Sequence, residues 1–447
     1  MINKKIKFYK LLLPLISMVT VIALGIPNSL AISPKDKVIP DSEKRIVVPK
    51  EMMARSSSSG TWLQNENGWW WYKHDDGSYT TNGWENINGN WYLFDSEGWM
   101  LTDWQNVNGK WYYLASSGEM KTGWLQLGST WYYLAESGEM QTGWQDIWGV
   151  WYYFNSSGEM LTGLQNIDSN LYYFDSSGHM QKGWVTISGT NYFFDESGKN
   201  IKESELGRKA LLLGETSSLQ VPIEDVINME KALKTMKFDG KSFDKVVSYP
   251  NHTKKEVVDK INSEFSNSKD SDVNYLYFTC HGVEEDSALA IGSGKQCMTG
   301  EELRDILIDK KGIFVVMIDS CFAGNFINKG TENNLNQFIK GLTTSKEKLG
   351  ELCNKKFIVL ASSSSTESSE GPFYSKNSLA TYFWLKGIGY DSITDSGINL
   401  MADSNTDSKV TLSELCNYSS KEVLKINIKQ HVQKYSEFED FVLFARY

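Results

Sequence analysis

From Trp84 to Gly198 the apolar positions return every twenty residues. Trp84, Trp104, Trp124, Trp144 and Trp184 hold one phase. Trp91, Trp111, Trp131 and Trp151 hold a second, each followed by a tyrosine. Gly98, Gly118, Gly138, Gly158, Gly178 and Gly198 mark turns, and Met100, Met120, Met140, Met160 and Met180 follow them. A unit such as Trp111-Tyr112-Tyr113-Leu114-Ala115-Ser116-Ser117-Gly118-Glu119-Met120 predicts a short aromatic strand, a glycine turn and a return strand. One hairpin is not stable alone in water, so successive units must stack, giving a β-hairpin solenoid over 61–202. An earlier unit with Trp62, Trp71 and Tyr72 is out of step by two residues and is expected to cap the array. The second tyrosine of each pair reads as core. Leu164 and Leu171 replace tryptophans in the fifth regular unit and Asn191 does so in the sixth, which leaves those units poorer in aromatic surface.

After Lys202 the beat stops and a different pattern begins, predicting a second domain over 206–447. Lys209–Gly214 reads as its first strand. Ile223–Met236 and Lys254–Phe265 have helical spacing, and Val273–Cys280, VNYLYFTC, is a buried strand. Thr299, with Glu302 three residues on, predicts a capped helix over Gly300–Lys310. Phe314–Ile318 and the stretch from Phe357 are further buried strands, and Ser378–Leu385 is a helix. Strands alternating with helices imply an α/β fold with a mainly parallel sheet covered on both faces.

Lys4, Lys5, Lys7 and Lys10 precede an apolar stretch from Leu11 to about Ile26 and then Asn28-Ser29-Leu30-Ala31, so residues 1–31 read as a secretory signal. The apolar core is short for a span, and no transmembrane anchor is expected after its removal. Removing it moves the net charge from −10 to −14, which argues against nucleic acid as a partner. Residues 32–60, with Pro34, Pro40, Pro49 and Ser56–Ser59, read as an extended linker or pro-segment. Five cysteines, Cys280, Cys297, Cys321, Cys353 and Cys416, all lie in the C-terminal half. An odd count argues against a disulfide framework and for one reactive thiol, although a bridge such as Cys353–Cys416 stays open.

The chemistry sits at two strand ends. One strand delivers His281 and then Gly282; the other runs into Asp319-Ser320-Cys321 and the turn residues Ala323 and Gly324. Carboxyl ends of strands are where open α/β sheets hold their ligands. A thiol is mostly protonated at neutral pH, and an imidazole beside it takes that proton or protonates a leaving amine. The N–H groups of Gly282 and Cys321 are the candidate oxyanion donors. Asp403, Asn405, Asp407, Lys409, Thr411 and Glu414 fall on the ligand positions of an EF-hand calcium loop, with Ser408 where glycine is usual. The same loop also reads as a helix entry. The thiol–imidazole chemistry itself requires no cofactor.

HG after one strand and DSCFAG after the next resemble the caspase–legumain clan of cysteine peptidases, from Lys209 to the C-terminus. The resemblance implies a caspase–hemoglobinase-like fold, with His281 and Cys321 as catalytic pair. FIVLASSSSTESS, Phe357–Ser369, is similar to the legumain and GPI-transamidase branch, where it implies a substrate pocket lined by Ser362, Ser363, Glu367 and Ser368. Legumains carry glutamate directly after the cysteine; Phe322 stands here, so asparagine specificity does not carry over. The pattern GW…WYY(L/F)…GEM.TG resembles the choline-binding or cell-wall-binding repeat. That implies cages around a quaternary ammonium, built from Trp84, Trp91, Trp104, Trp111, Trp124, Trp131, Trp144 and Trp151, with teichoic-acid choline or a wall glycan as ligand. Together these readings predict a secreted, wall-associated cysteine endopeptidase acting on a protein or peptide substrate. A transpeptidase using the same acyl-enzyme, or an adhesin or receptor with an inactive caspase-like domain, is the alternative.

Overall fold

The computed structural model describes residues 59–215, 221–250, 253–283, 288–291, 296–321, 356–362, 377–426, 430–436, 438 and 440–447. The expected signal segment lies outside them, as does the linker up to residue 58. The described residues divide into two compact units, one running to 147 with 152–161, the other 148–151 with those from 162 onward.

The first unit is built of hairpins, but not the ones the glycine spacing suggests. Strand Asp103–Val107 pairs with Lys110–Leu114, so the two tryptophan-bearing segments pair with each other around Asn108-Gly109. Both turn residues have positive φ, 55° and 84°, the geometry that matches the twist of a two-residue hairpin. The expected return strand is a single bridge, Leu114 to Met120. Its N–H joins successive hairpins: Met120 donates to Trp91 O, Met140 to Trp111 O and Met160 to Trp131 O, each at 2.8 Å. Gly118 is required twice over. Its φ is +85°, and a Cβ there would lie 2.1 Å from the sulfur of Met100.

The tyrosine assignment is also corrected. The first tyrosine is the core residue in three pairs: Tyr112, Tyr152 and Tyr172 are buried, whereas Tyr113, Tyr153 and Tyr173 are half-buried; Tyr132 and Tyr133 are both half-buried. Strand alternation gives the reason, since Tyr112 shares its face with buried Leu114 and Tyr113 shares its own with exposed Trp111. At the N-terminal end, Trp62 packs edge-on against Tyr72 at 5.2 Å and Tyr92 at 4.9 Å. A buried pair that no spacing announces, His74 Nε2 to Glu85 Oε1 at 2.8 Å, ties this hairpin to the next.

In the second unit, hairpins Gly163–Ile167/Asn170–Phe174 and Gly183–Ile187/Thr190–Phe194 precede a large sheet. Among the described residues six of its eight strands are β1 (Arg208–Gly214), β2 (Lys245–Pro250), β3 (Val273–Val283), β4 (Ile313–Cys321), β5 (Phe357–Ala361) and β6 (Gln433–Ser436); the short strands Ala288–Ala290 and Cys297–Thr299 branch from the end of β3. The six lie in the order β2-β1-β3-β4-β5-β6; the first five are parallel and β6 is antiparallel. Leu212, Tyr275, Tyr277, Val315 and Met317 face helices α1 (Val221–Lys234), α4 (Leu379–Gly387) and α5 (Leu412–Leu424). Leu211, Leu213, Leu276, Phe278, Val316 and Ile318 face α2 (Lys254–Glu264) and α3 (Gly300–Leu307). Both faces are covered, which is why the strands read as continuous apolar runs rather than alternating ones. Helix α3 carries the expected capping box: Thr299 Oγ1 accepts from the Glu302 N–H at 3.2 Å, and Glu302 Oε2 accepts from the Thr299 N–H at 2.9 Å. No helix among the described residues is long and apolar enough to cross a membrane.

Candidate active site

The parallel register of β3 and β4 sets His281 directly across from Cys321. The pair stands on strand, not on turns: β3 continues to Val283 and β4 to Cys321. Gly282 also stays in β3 and pairs with Leu289. The side chain of Cys321 lies outside the described residues, as do Phe322, Ala323 and Gly324. Cys280 is buried on the α2–α3 face, and Cys416 is a free buried thiol whose pKa burial pushes up; Cys353 lies outside the described residues.

Strands extend this far because the polar residues near their ends are satisfied below the pair. Thr279 and Asp319 form the same-face rung two residues before His281 and Cys321. Asp319 is fully buried, and its Oδ2 accepts from Thr381 N–H at 2.9 Å, Thr381 Oγ1 at 2.5 Å and the Ser378 hydroxyl. Asp225, fully buried on α1, accepts at Oδ2 from Thr279 Oγ1 at 2.9 Å. Its Oδ1 accepts from Asn377 Nδ2 at 2.9 Å and Ser378 N–H at 3.0 Å. Burial, and then the negative charge of Asp319, push the Asp225 carboxyl up to about 7, against the pull of the Asn377, Ser378 and Thr279 hydrogen bonds. Burial raises Asp319 as well. Two acids thus underlie the His281–Cys321 rung with neutral donors around them.

Of the expected pocket residues, Ser362 directly follows β5 and is buried; its N–H donates to Ile318 O and its carbonyl accepts from Gln430 Nε2, both at 2.9 Å. Ser363, Glu367 and Ser368 lie outside the described residues.

The 403–414 loop uses its acids on its own backbone. Asp403 accepts from the N–H groups of Asp407 at 3.1 Å and Ser408 at 3.0 Å, and Asp407 from that of Lys409 at 2.9 Å. Asn405 Oδ1 accepts from the Asp407 N–H at 3.0 Å. Glu414 accepts from the N–H groups of Ser404 and Thr411, both at 3.0 Å, and Thr411 caps α5. Ser408 takes the left-handed conformation, φ 66°, that the usual glycine would supply. Among the described residues no three His, Cys, Asp or Glu side chains are gathered around one metal position.

The tryptophans form aromatic corners. Trp104 packs edge-on against Tyr113 at 5.2 Å and Tyr132 at 5.1 Å. Trp124 meets Tyr133 at 5.2 Å, Tyr152 at 4.9 Å and Trp131 at 6.1 Å. Trp144 meets Tyr153 at 5.1 Å. Trp111 and Trp151 are exposed, Trp91 and Trp131 half-buried and Trp84 buried, so the eight candidates are not equivalent.

Residues 207–422 match the model of the caspase domain. Residues 101–142 and 161–203 match the choline-binding repeat, and 82–100 and 142–160 the cell wall binding repeat. Among solved structures, the chain is similar to CbpJ from Streptococcus pneumoniae TIGR4, at 39% identity over 33% of this chain and 53% of that one, TM-score 0.31. Choline binding protein F from Streptococcus pneumoniae shows 38% identity over the same shares, 33% and 53%, TM-score 0.31. A multimodular cell wall endolysin from phage Cp-1, complexed with choline, shows 40% identity over 29% and 39%, TM-score 0.22. The chain thus spans about half the length of the first two, 53% of each. Comparison with curated proteins gave no match. The chain therefore fuses choline-binding and cell wall binding repeats to a caspase-like domain.

Proposed function

We infer that the protein is a secreted, wall-bound cysteine endopeptidase. The observation that supports this best is the His281–Cys321 rung at the carboxyl ends of adjacent parallel strands. In the reaction, His281 takes the Cys321 proton and the thiolate attacks the peptide carbonyl carbon. The C–S bond forms, the C–N bond breaks, and the amine leaves with the proton from His281. Water then attacks the thioester, with His281 again as base, and releases the acid and the free thiol. The experiment is a peptide-library screen with the full chain, followed by labelling with a thiol-reactive peptide inhibitor. Cleavage, with label on Cys321, is expected; label confined to Cys280 or Cys297 would overturn the reading.

The repeats hold the enzyme at a wall through choline. Aromatic corners such as Trp124, Trp131 and Tyr133 suit a quaternary ammonium, each desolvated face contributing up to about 2 kcal/mol. Replacing Trp124 and Trp131 together by alanine is expected to weaken choline binding by ~10-fold or more, and replacing Leu164 and Leu171 to leave it unchanged. Equilibrium dialysis of choline checks this. If free choline fails to release the chain from walls, a glycan is the ligand.

The 403–414 loop is a weak calcium site in the same reading. Calcium has to draw Glu414 away from the Ser404 and Thr411 N–H groups, so affinity belongs in the range of about 10⁻⁴ to 10⁻³ M. Calorimetry and melting with and without EDTA, on wild type and Asp407→Ala, are expected to show binding and a calcium-dependent rise in melting temperature in wild type only. Absence of both in wild type leaves the loop as the entry to α5.

A further inference from the structure

The hairpins obey a packing rule that the last one satisfies with a foreign partner. The tryptophan of a first strand packs edge-on against the buried-face tyrosine twenty-eight residues on, in the next hairpin. Trp84 meets Tyr112 at 5.0 Å and 65°, Trp104 meets Tyr132 at 5.1 Å and 62°, and Trp124 meets Tyr152 at 4.9 Å and 66°. The same tryptophan also meets the residue nine positions on, within its own hairpin. Trp184 keeps that second contact, with Phe193 at 5.4 Å. Twenty-eight residues beyond Trp184, however, lies Leu212, in the core of the large sheet. The vacant role falls to Phe441, at 5.4 Å and 62°, backed by Phe438 at 6.4 Å. Both phenylalanines are buried, they pack on each other at 5.5 Å, and Trp184 rests on the same core cluster. The indole nitrogens of Trp124 and Trp184 are alike buried without a hydrogen-bond partner, so the two rings sit in equivalent apolar seats.

The connection from the hairpin to the sheet is fastened as well. The Arg208 guanidinium bonds the Glu203 carboxylate and carbonyl and stacks on Phe238, 3.7 Å from the ring centroid. Lys241 Nζ donates to Leu206 O at 2.9 Å. The described residues from Thr162 onward accordingly belong to one compact unit, together with 148–151.

We propose that the last hairpin, Gly183–Phe194, is a docking element, in which Phe441 and Phe438 of the caspase-like domain stand in for the aromatics of a further repeat. Its aromatic face is spent on that domain and not on a wall ligand, although 161–203 matches the choline-binding repeat. Position 191 fits this division: at the phase held by Trp91, Trp111, Trp131 and Trp151 in earlier hairpins, Asn191 Oδ1 accepts from Thr186 Oγ1 at 2.6 Å within the hairpin itself. The docked segment also supports the domain behind it, since Phe441 O accepts from Leu412 N–H at 2.8 Å and Asp440 Oδ1 from Ser413 N–H at 2.9 Å, at the start of α5. The smallest stable caspase-like unit then begins near Thr162, not near Leu206.

The test uses the full chain and three variants, Trp184→Ala, Trp184→Phe and Trp124→Ala, with choline as the probe. Trp184→Ala is expected to keep the wild-type number of choline sites, to lower the unfolding temperature by several degrees, roughly 4 °C or more, and to speed tryptic cleavage after Lys202 by about 10-fold. Trp124→Ala is expected to do the reverse, losing choline without changing cleavage at Lys202. Should Trp184→Ala fail to fold, Trp184→Phe decides: it retains a ring at the contact and is expected to recover most of the wild-type resistance to trypsin. The proposal is overturned if Trp184→Ala melts and is cut as wild type, or if either Trp184 variant lacks a choline site that wild type has. The melting and trypsin arms decide even if the repeats prove to bind no choline.

Discussion

Cys321→Ala is expected to lower kcat/KM for peptide cleavage by ~10⁴-fold or more, a loss of about 5.5 kcal/mol of transition-state stabilisation. The thiol is the group that forms the acyl-enzyme, and alanine leaves no nucleophile in its place. His281→Ala is expected to cost ~10²- to 10⁴-fold, the usual range for a positioned acid–base group. The double variant should be little worse than Cys321→Ala, because the imidazole has no role once the sulfur is gone. None of this requires the fold to change. The His281–Cys321 rung is held by backbone pairing, and His281 is only half-buried, so melting should move by no more than about 1 kcal/mol of stability. Steady-state kinetics and thermal melting on the same preparations check both halves. Full activity in Cys321→Ala removes the assignment, and a collapsed melting transition removes the inference from kinetics.

The strands were readable because a sheet covered on both faces leaves continuous apolar runs, and Phe314–Ile318 is one. Their ends were not. Asp319 looks like a terminator, yet the strand continues through it because Ser378 and Thr381, some sixty residues later, supply the donors a buried carboxylate needs. Asp225 is not legible in the sequence for a related reason. An acid on a helix usually faces water, and only the fold brings it to Thr279 and Asn377. A signal did exist: Asp225 falls between Pro222 and Met229 on the buried stripe of α1, where an apolar residue is expected. In the repeats the period is plain, but the glycine that recurs with it does not lie in the hairpin turn. Two-residue turns carry the hairpins, and in Asn88-Gly89, Asn108-Gly109, Trp148-Gly149, Asp168-Ser169 and Ser188-Gly189 both residues have positive φ. Once the strands are bounded correctly, alternation alone puts Tyr112 inward and Tyr113 outward.

The Asp225–Asp319 pair is expected to make the caspase-like domain less stable as pH rises from about 4 to about 7. The Asp225 carboxyl is pushed up to about 7 from its ordinary 3.8 by burial and by the Asp319 charge. Between those values the unfolded chain has released its proton while the folded chain still holds it. The folded state then binds more protons, so unfolding free energy falls with increasing pH, by up to about 1.4 kcal/mol per pH unit for one group. Across the window the loss is on the order of 4 kcal/mol at most. Below the unfolded value both states are protonated, above the folded value both are ionised, and the dependence flattens at each end. Burial shifts Asp319 in the same direction, so it reinforces the slope. Asp225→Asn tests the cause. The amide oxygen can still accept from Asn377 Nδ2 and Ser378 N–H, while its NH₂ faces the Thr279 hydroxyl in place of Oδ2. It has no proton to lose, and it relieves Asp319 of a negative neighbour. The variant should match wild type near pH 4, exceed it at pH 8, and show a shallower decline between. Urea unfolding of both proteins across that range isolates the contribution, because other titrating groups are common to the two curves. Parallel curves would mean that the Asp225 carboxyl does not titrate within this window, and a variant less stable at every pH would mean that the Thr279 bond needs a carboxylate.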